Sequence, residues 1–210
     1  EIRYLADGHI PYSIKTKTYK HSRANQVILV IGSDKVDAFK VAVTTLKYTI
    51  TPQNSACHRI VFNDKHLTDM CETYCGCGSE YKFISEAIFN STPDIKKAFL
   101  EGYLSGDGSI RGNQVQIITV SHTLALCLQR LILDVEKVHS NIYLYDRGST
   151  WVIEGREVNQ KPQYYVKYIR GNKGKVMYDD DKIWYGVKKY VHIGEQLVYN
   201  ITVDEDHSYT

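Results

Sequence analysis

The 210-residue chain predicts an α+β fold in which one unit is used twice. Two observations carry that expectation. Runs of period two alternate with stripes of helical period, and the order helix, two strands, helix, two strands occurs twice along the chain. A third observation ties the copies together: an acidic–glycine pair ends the leading helix of each. Hydrophobic residues at 43% and charged residues at 24% suit a globular core and exclude a disordered or collagen-like chain. The longest apolar run, 27–31, is far too short to cross a bilayer, so no membrane partner is expected. Lys and Arg outnumber Asp and Glu by only 26 to 24, so the distribution of charge has to decide between partners.

In the first copy, Ile10, Tyr12 and Ile14 alternate with Ser13, Lys15 and Lys17, which predicts a half-buried strand over 9–20. A turn at 22–25 leads into a second strand at 26–31. Gly32, Ser33 and Asp34 stop it and cap a helix whose apolar face is Val36, Phe39, Val43 and Leu46. Strands over 47–51 and 57–62 and a helix over 65–74 follow, before a glycine-rich break at Gly76 and Gly78. The second copy opens at Thr92-Pro93-Asp94, with the hydroxyl as N-cap and Pro in the first turn. Ile95, Ala98, Phe99, Gly102, Tyr103 and Gly106 then fall on one apolar or very small face. A strand over 113–120 precedes a helix capped by Ser121, with Leu124, Cys127, Leu128, Leu131 and Ile132 on its stripe. Further strands are expected over 138–145, 150–154 and 163–169, and two β-like runs over 183–203 break the repeat. The corresponding domains are 1–91, 92–182 and 183–210.

Five cysteines and no visible secretory leader argue against a disulfide framework and for an intracellular, reducing setting. Cys71, Cys75 and Cys77 lack a second paired cluster, so they read as helix-end and loop thiols rather than a zinc site. The start at Glu1 and the end at Thr210 suggest a piece of a longer chain.

The acidic–glycine pairs are Tyr4-Leu-Ala-Asp7-Gly8 and Leu100-Glu-Gly-Tyr-Leu-Ser-Gly-Asp107-Gly108. Small residues at Gly102 and Gly106 permit two helices to approach backbone to backbone. Each helix would then end on a carboxylate, where the helix dipole is already negative. Two such ends at one place call for a hard divalent cation, and oxygen-only ligands favour Mg²⁺. The second stretch resembles the signature of the LAGLIDADG homing endonucleases, and the first resembles its truncated partner, with Ile2 where that family usually has a small residue. The resemblance implies two pseudo-symmetric αββαββ(α) repeats forming a DNA-binding saddle, in a single-chain monomer. It implies cleavage of both strands of a long double-stranded DNA site, with Mg²⁺ as cofactor and Mn²⁺ or Ca²⁺ able to replace it in binding. Asp7 and Asp107 would be catalytic and hold the metal, with Ala6 and Gly106 beside them in the metal set. The stretch from Cys77 to Ile84 is similar to a segment of intein-borne members in which a lysine followed by x-Ile-Pro aids catalysis. That similarity makes Lys82 a third catalytic candidate, with Ser85 in place of the proline.

Positive charge is concentrated where such a protein would meet phosphate. Residues 8–33 hold Lys15, Lys17, Lys20 and Arg23 and no acid; residues 158–178 hold Lys161, Lys167, Arg170, Lys173 and Lys175, again with none. Arg111, Gln114, Gln116, Asn141 and Tyr143 are of the types that read base edges in a major groove, and Lys167 is the candidate second-half lysine. The stretch Val198 to Tyr209 is similar to a late block of intein splicing domains, with Asn200 in place of the usual Asp. The nucleophiles that splicing needs are not in the chain. Two rival functions remain at this level: a DNA- or RNA-binding, maturase-like module that does not cleave, and a part of a protein-splicing element.

Overall fold

The structure is a computed structural model, and it describes residues 2–10, 25–146, 148, 151–153, 156–158, 161–171, 176–179 and 182–197. The chain divides into two compact units, Glu1–Gly174 and Lys175–Thr210.

The first unit holds both copies of the repeat. The first copy runs α1 (Ile2–Asp7), β1 (Gly8–His9), β2 (Gln26–Gly32), a 3-10 turn (Ser33–Lys35), α2 (Val36–Ala42), β3 (Thr49–Pro52) and β4 (Cys57–Asn63). Two further helices, α3 (Lys65–Cys75) and α4 (Glu86–Phe89), complete it. The second copy runs α5 (Pro93–Asp107), β5 (Gly108–Arg111), β6 (Gln114–Thr119), α6 (His122–Glu136), β7 (Asn141–Tyr145), a hairpin of β8 (Trp151–Ile153) and β9 (Arg156–Val158), and β10 (Gln163–Ile169). The two antiparallel sheets have one topology. Their orders are β1-β2-β4-β3 and β5-β6-β10-β7, so in each copy the last strand inserts between the second and the third. The expected αββαββ repeat is therefore present twice, and the second copy carries the β8–β9 hairpin as an insertion. The second unit contributes one described hairpin, β11 (Val176–Asp179) with β12 (Lys182–Tyr185). The splicing-like stretch, 198–209, lies outside the described residues.

Local chemistry explains the elements. Asp64 accepts from the Leu67 N–H at 2.9 Å and Ser121 from the Leu124 N–H at 3.1 Å, which starts α3 and α6 by side-chain capping. Thr92 occupies the N-cap of α5 but makes no side-chain cap bond; Pro93 and the acidic Asp94 in the first turn favour the start there instead. Helix α2 stops at Ala42, short of Leu46, because the β-branched run Val43-Thr44-Thr45 resists helical packing. Leu124, Leu128, Leu131 and Ile132 of α6 are fully buried, each contributing about 1.5–3 kcal/mol.

Helix α5 departs from the single apolar face expected of it. Leu100 and Leu104 are buried together with Phe99 and Tyr103, while Ile95 is half exposed. The cause is its position, since α5 packs against α1, α4 and α6 and over β5 and β6 and so has to be apolar on more than one side.

The glycines that follow the two helices do the same steric work in both copies. A Cβ on Gly8 would lie 2.6 Å from Tyr4 Cα, and one on Gly108 would lie 2.5 Å from the Leu104 carbonyl oxygen, in each case against the residue four positions back. Gly8→Ala and Gly108→Ala are therefore each expected to cost about 1–3 kcal/mol by overpacking. The neighbouring exposed Ser109→Ala should stay within about 0.5 kcal/mol of the parent. Denaturant midpoints check all three.

Candidate functional site

Helices α1 and α5 pack together, and each ends on its motif aspartate. Asp7 and Asp107 are near enough for the Asp7 charge to act on Asp107. The Asp107 carboxyl is open to solvent on one side but crowded by protein on the other, and it is pushed up to about 6. Loss of hydration is the first cause and the Asp7 charge the second; Lys82, a hydrogen bond from Tyr103 and Lys35 pull in the opposite direction. Tyr103 is 1% exposed, its hydroxyl donates to Asp107, and burial beside this carboxylate raises its own pKa.

Lys82 sits in the extended segment after α3 and is only 7% exposed. Its Nζ donates to three backbone oxygens at the end of α1: Tyr4 at 3.0 Å, Leu5 at 2.8 Å and Gly8 at 2.8 Å. An ammonium has three protons, and here each has an acceptor. Burial pulls the Lys82 pKa down, against the lifting effect of Asp107 and Asp7. The end of α5 also receives a lysine from the first copy, since Lys35 Nζ donates to the Ser105 carbonyl at 2.9 Å, two positions before Asp107.

Ala6 and Gly106 directly precede the two aspartates in the last turns, where helix carbonyls run out of intrahelical partners. The two carboxylates, one of them raised by burial and by its neighbour, and the backbone carbonyls form an oxygen-only set that fits a hard divalent cation. Among the described residues no group of three or more His, Cys, Asp or Glu could hold a metal ion, so carbonyl or water oxygens would complete the ligand sphere. Cys71 and Cys75 are buried along α3, and Cys77 is in the loop that follows.

The sheet of the second copy turns one face to its helices and leaves the other open. Val115, Ile117, Val166 and Tyr168 are buried on the helix side. Register puts Lys167 opposite Gln116 and Asn141, Gln114 opposite Arg111, and Tyr143 opposite Tyr165, all on the open side. Six of the expected DNA-facing residues, Arg111, Gln114, Gln116, Asn141, Tyr143 and Lys167, thus share one face. Lys167 Nζ lies 5.2 Å from the Tyr165 ring centre and 5.8 Å from that of Tyr143, and Tyr145 packs edge-on to Tyr165 at 5.7 Å. Arg170 turns the other way and pairs with Glu136 at the end of α6 at 3.2 Å. Lys15, Lys17, Lys20 and Arg23 lie outside the described residues.

The open face of the first sheet is different in character. Around Ile28 and Val30, His9, Thr51, Pro52, Gln53 and Arg59 line a concavity of about 390 Å³. Burial first, and the Arg59 and Lys82 cations second, hold the His9 pKa below its ordinary value, which favours the neutral imidazole.

Sequence reasoning missed Tyr103, Lys35 and Ser121 as parts of the site. Tyr103 stands one turn before Asp107, so helical spacing could have found it. Nothing local marks Lys35 or Ser121, whose partners are 70 and 39 positions away.

The raised Asp107 carboxyl has a consequence for stability. Below the ordinary carboxylate range the group is protonated in folded and unfolded chain alike; stability is then lost as pH rises through about 6, because the fold must hold a disfavoured charge. In metal-free buffer, Asp107→Asn is expected to melt with the parent near pH 3 and above it near pH 7. Thermal melts across that range test the difference.

Residues 94–178 match the LAGLIDADG-like domain family. Iron–sulfur cluster assembly SufBD family proteins of Mycobacterium bovis and Mycobacterium tuberculosis are 27% identical over 141 residues, covering 64% of this chain and 16% of theirs. A DNA polymerase of Thermococcus kodakarensis is 40% identical over 65 residues, 30% of this chain and 4% of the polymerase. The chain thus spans a small fraction of the length of these curated relatives. Among solved structures, the homing endonuclease I-DmoI in complex with DNA and Ca has a TM-score of 0.51 at 15% identity, covering 79% of this chain and 78% of that one. A variant of I-DmoI with its target DNA and Mn has a TM-score of 0.50 at 14% identity, covering 79% and 82%. Residues 94–178 thus form a LAGLIDADG-like domain, and the chain shares its fold with the homing endonuclease I-DmoI.

Proposed function

We propose that this protein is a site-specific endonuclease that hydrolyses both strands of a long double-stranded DNA site with the help of a divalent cation, Mg²⁺ in the cell. The observation that carries this reading is the pairing of Asp7 and Asp107 at the adjoining ends of α1 and α5, close enough for one charge to unsettle the other. A DNA-binding protein that does not cut has no use for that electrostatic cost. A bound divalent cation would relieve the repulsion and supply charge stabilisation to a phosphodiester undergoing attack by water. Asp7 and Asp107 would hold it, with the carbonyls of Ala6 and Gly106 at hand.

The remaining steps belong to the chain's own groups. Tyr103 holds the Asp107 carboxylate by its hydroxyl. The open face of β5, β6, β10 and β7 offers Arg111 and Lys167 to phosphates and Gln114, Gln116 and Asn141 to base edges. Tyr143 and Tyr165 flank Lys167 and direct its ammonium. No group in the set is a nucleophile in need of a covalent intermediate, so water is the attacking species in this reading.

Incubation of the protein with a randomised-target library in Mg²⁺ should yield a cut sequence, and a library left uncut would defeat the proposal. Asp7→Asn and Asp107→Asn are each expected to reduce cleavage of that sequence by at least about 100-fold, while a gel shift in Ca²⁺ persists. Shifted but uncut DNA with the parent protein would favour the non-cleaving binding module. Lys167→Ala should leave the melting point in place and weaken DNA binding, reducing the salt slope of binding by about 1. Titration at several salt concentrations measures it.

A further inference from the structure

The geometry points to Lys82 as the positioning residue of the first motif: its ammonium clamps the end of α1 and thereby sets the place of Asp7, rather than acting on the DNA phosphate. This inference rests on the reading of Asp7 as a metal-holding group.

Helix α1 has six described residues, and the last carbonyls of any helix lack intrahelical partners. Three oxygens within one turn of Asp7, those of Tyr4, Leu5 and Gly8, converge on one ammonium at 3.0, 2.8 and 2.8 Å. They flank Asp7 on both sides in sequence. With all three protons engaged and the side chain buried, Nζ would have to break bonds to reach a phosphate outside. A cation at a helix C-terminus also offsets the negative end of the dipole, and the carboxylate of Asp7 adds to the need for it.

The clamp is itself held from several directions. The Lys82 carbonyl accepts from the Ser121 hydroxyl at 2.6 Å, and the same hydroxyl caps α6. The Phe83 N–H donates to the Cys75 carbonyl at 3.1 Å, which ties the segment to the end of α3. Gly76, at φ +80°, leaves α3 where a Cβ would lie 2.1 Å from the Tyr81 carbonyl oxygen, so the segment passes as close as glycine allows. Tyr4 closes the circuit: its hydroxyl donates to the Gly76 carbonyl at 2.8 Å, and its ring lies 5.3 Å below Lys82 Nζ. Lysine is the side chain suited to this place, because a compact three-proton head meets three carbonyls arranged around it.

The test compares Lys82→Met and Lys82→Arg with the parent. In hydrogen exchange of the DNA-free proteins, Lys82→Met should exchange amides of residues 2–9 at least about tenfold faster than the parent, with the α5 peptide unchanged. Lys82→Arg, which keeps charge and donors, should retain most of the protection, and Lys82→Gln, which loses the charge but stays polar, carries this arm if Lys82→Met does not fold. In single-turnover cleavage, Lys82→Met should be slower by about 100-fold, a misplacement effect, with DNA affinity in Ca²⁺ within about threefold of the parent. Raising the Mn²⁺ concentration should recover part of the rate. Unchanged exchange over 2–9 in the variant that lacks the ammonium overturns the clamp. So does a loss of cleavage that no Mn²⁺ concentration recovers, because that is the mark of an ammonium acting on the phosphate itself. If the parent cuts no DNA, the endonuclease reading falls while the exchange experiment still decides the clamp.

Discussion

Two helix ends, each negative by its backbone dipole and each tipped with a carboxylate, are held side by side. Left alone they would repel, and the rest of the first unit arranges cations and donors to keep them together. Lys82 meets the α1 end with three hydrogen bonds, Lys35 meets the last turn of α5 with one, and the Tyr103 hydroxyl steadies Asp107. Both lysines come from the first copy. The pseudo-symmetry of the fold is therefore not a symmetry of its electrostatics: one helix end is gripped from its own copy, the other from across the junction.

The same departure from symmetry runs through the sheets. Both have one strand order, yet the described open face of the first has an aliphatic floor at Ile28 and Val30, with His9 and Arg59 at its edge. The second presents amides, tyrosines and a lysine. A shared topology with different faces is what a chain needs in order to treat the two halves of an asymmetric ligand differently, since topology sets where side chains stand and sequence sets what they are.

Much of this was legible in the residues alone. Strands such as β2 and β6, and the stripe of α6, are local patterns in which period and burial agree, and the open-face set from Arg111 to Lys167 follows from alternation along each strand. The acidic–glycine pairs marked the ends of α1 and α5 because a helix stop and its glycine lie next to each other in sequence. What stayed hidden depends on distant partners. Leu100 and Leu104 are buried only because α5 has neighbours on several sides. Lys82 was visible as a residue of interest, but the direction of its ammonium was not, since its acceptors lie 74 to 78 positions earlier.

The Ser121 hydroxyl, which caps α6 and at the same time holds the Lys82 carbonyl, makes the two repeats poor candidates for free exchange. A chimaera that took its front half from one relative and its back half from another would join a donor and an acceptor that had never been matched. Whoever shuffles such halves to retarget a protein of this kind must carry both sides of that seam together.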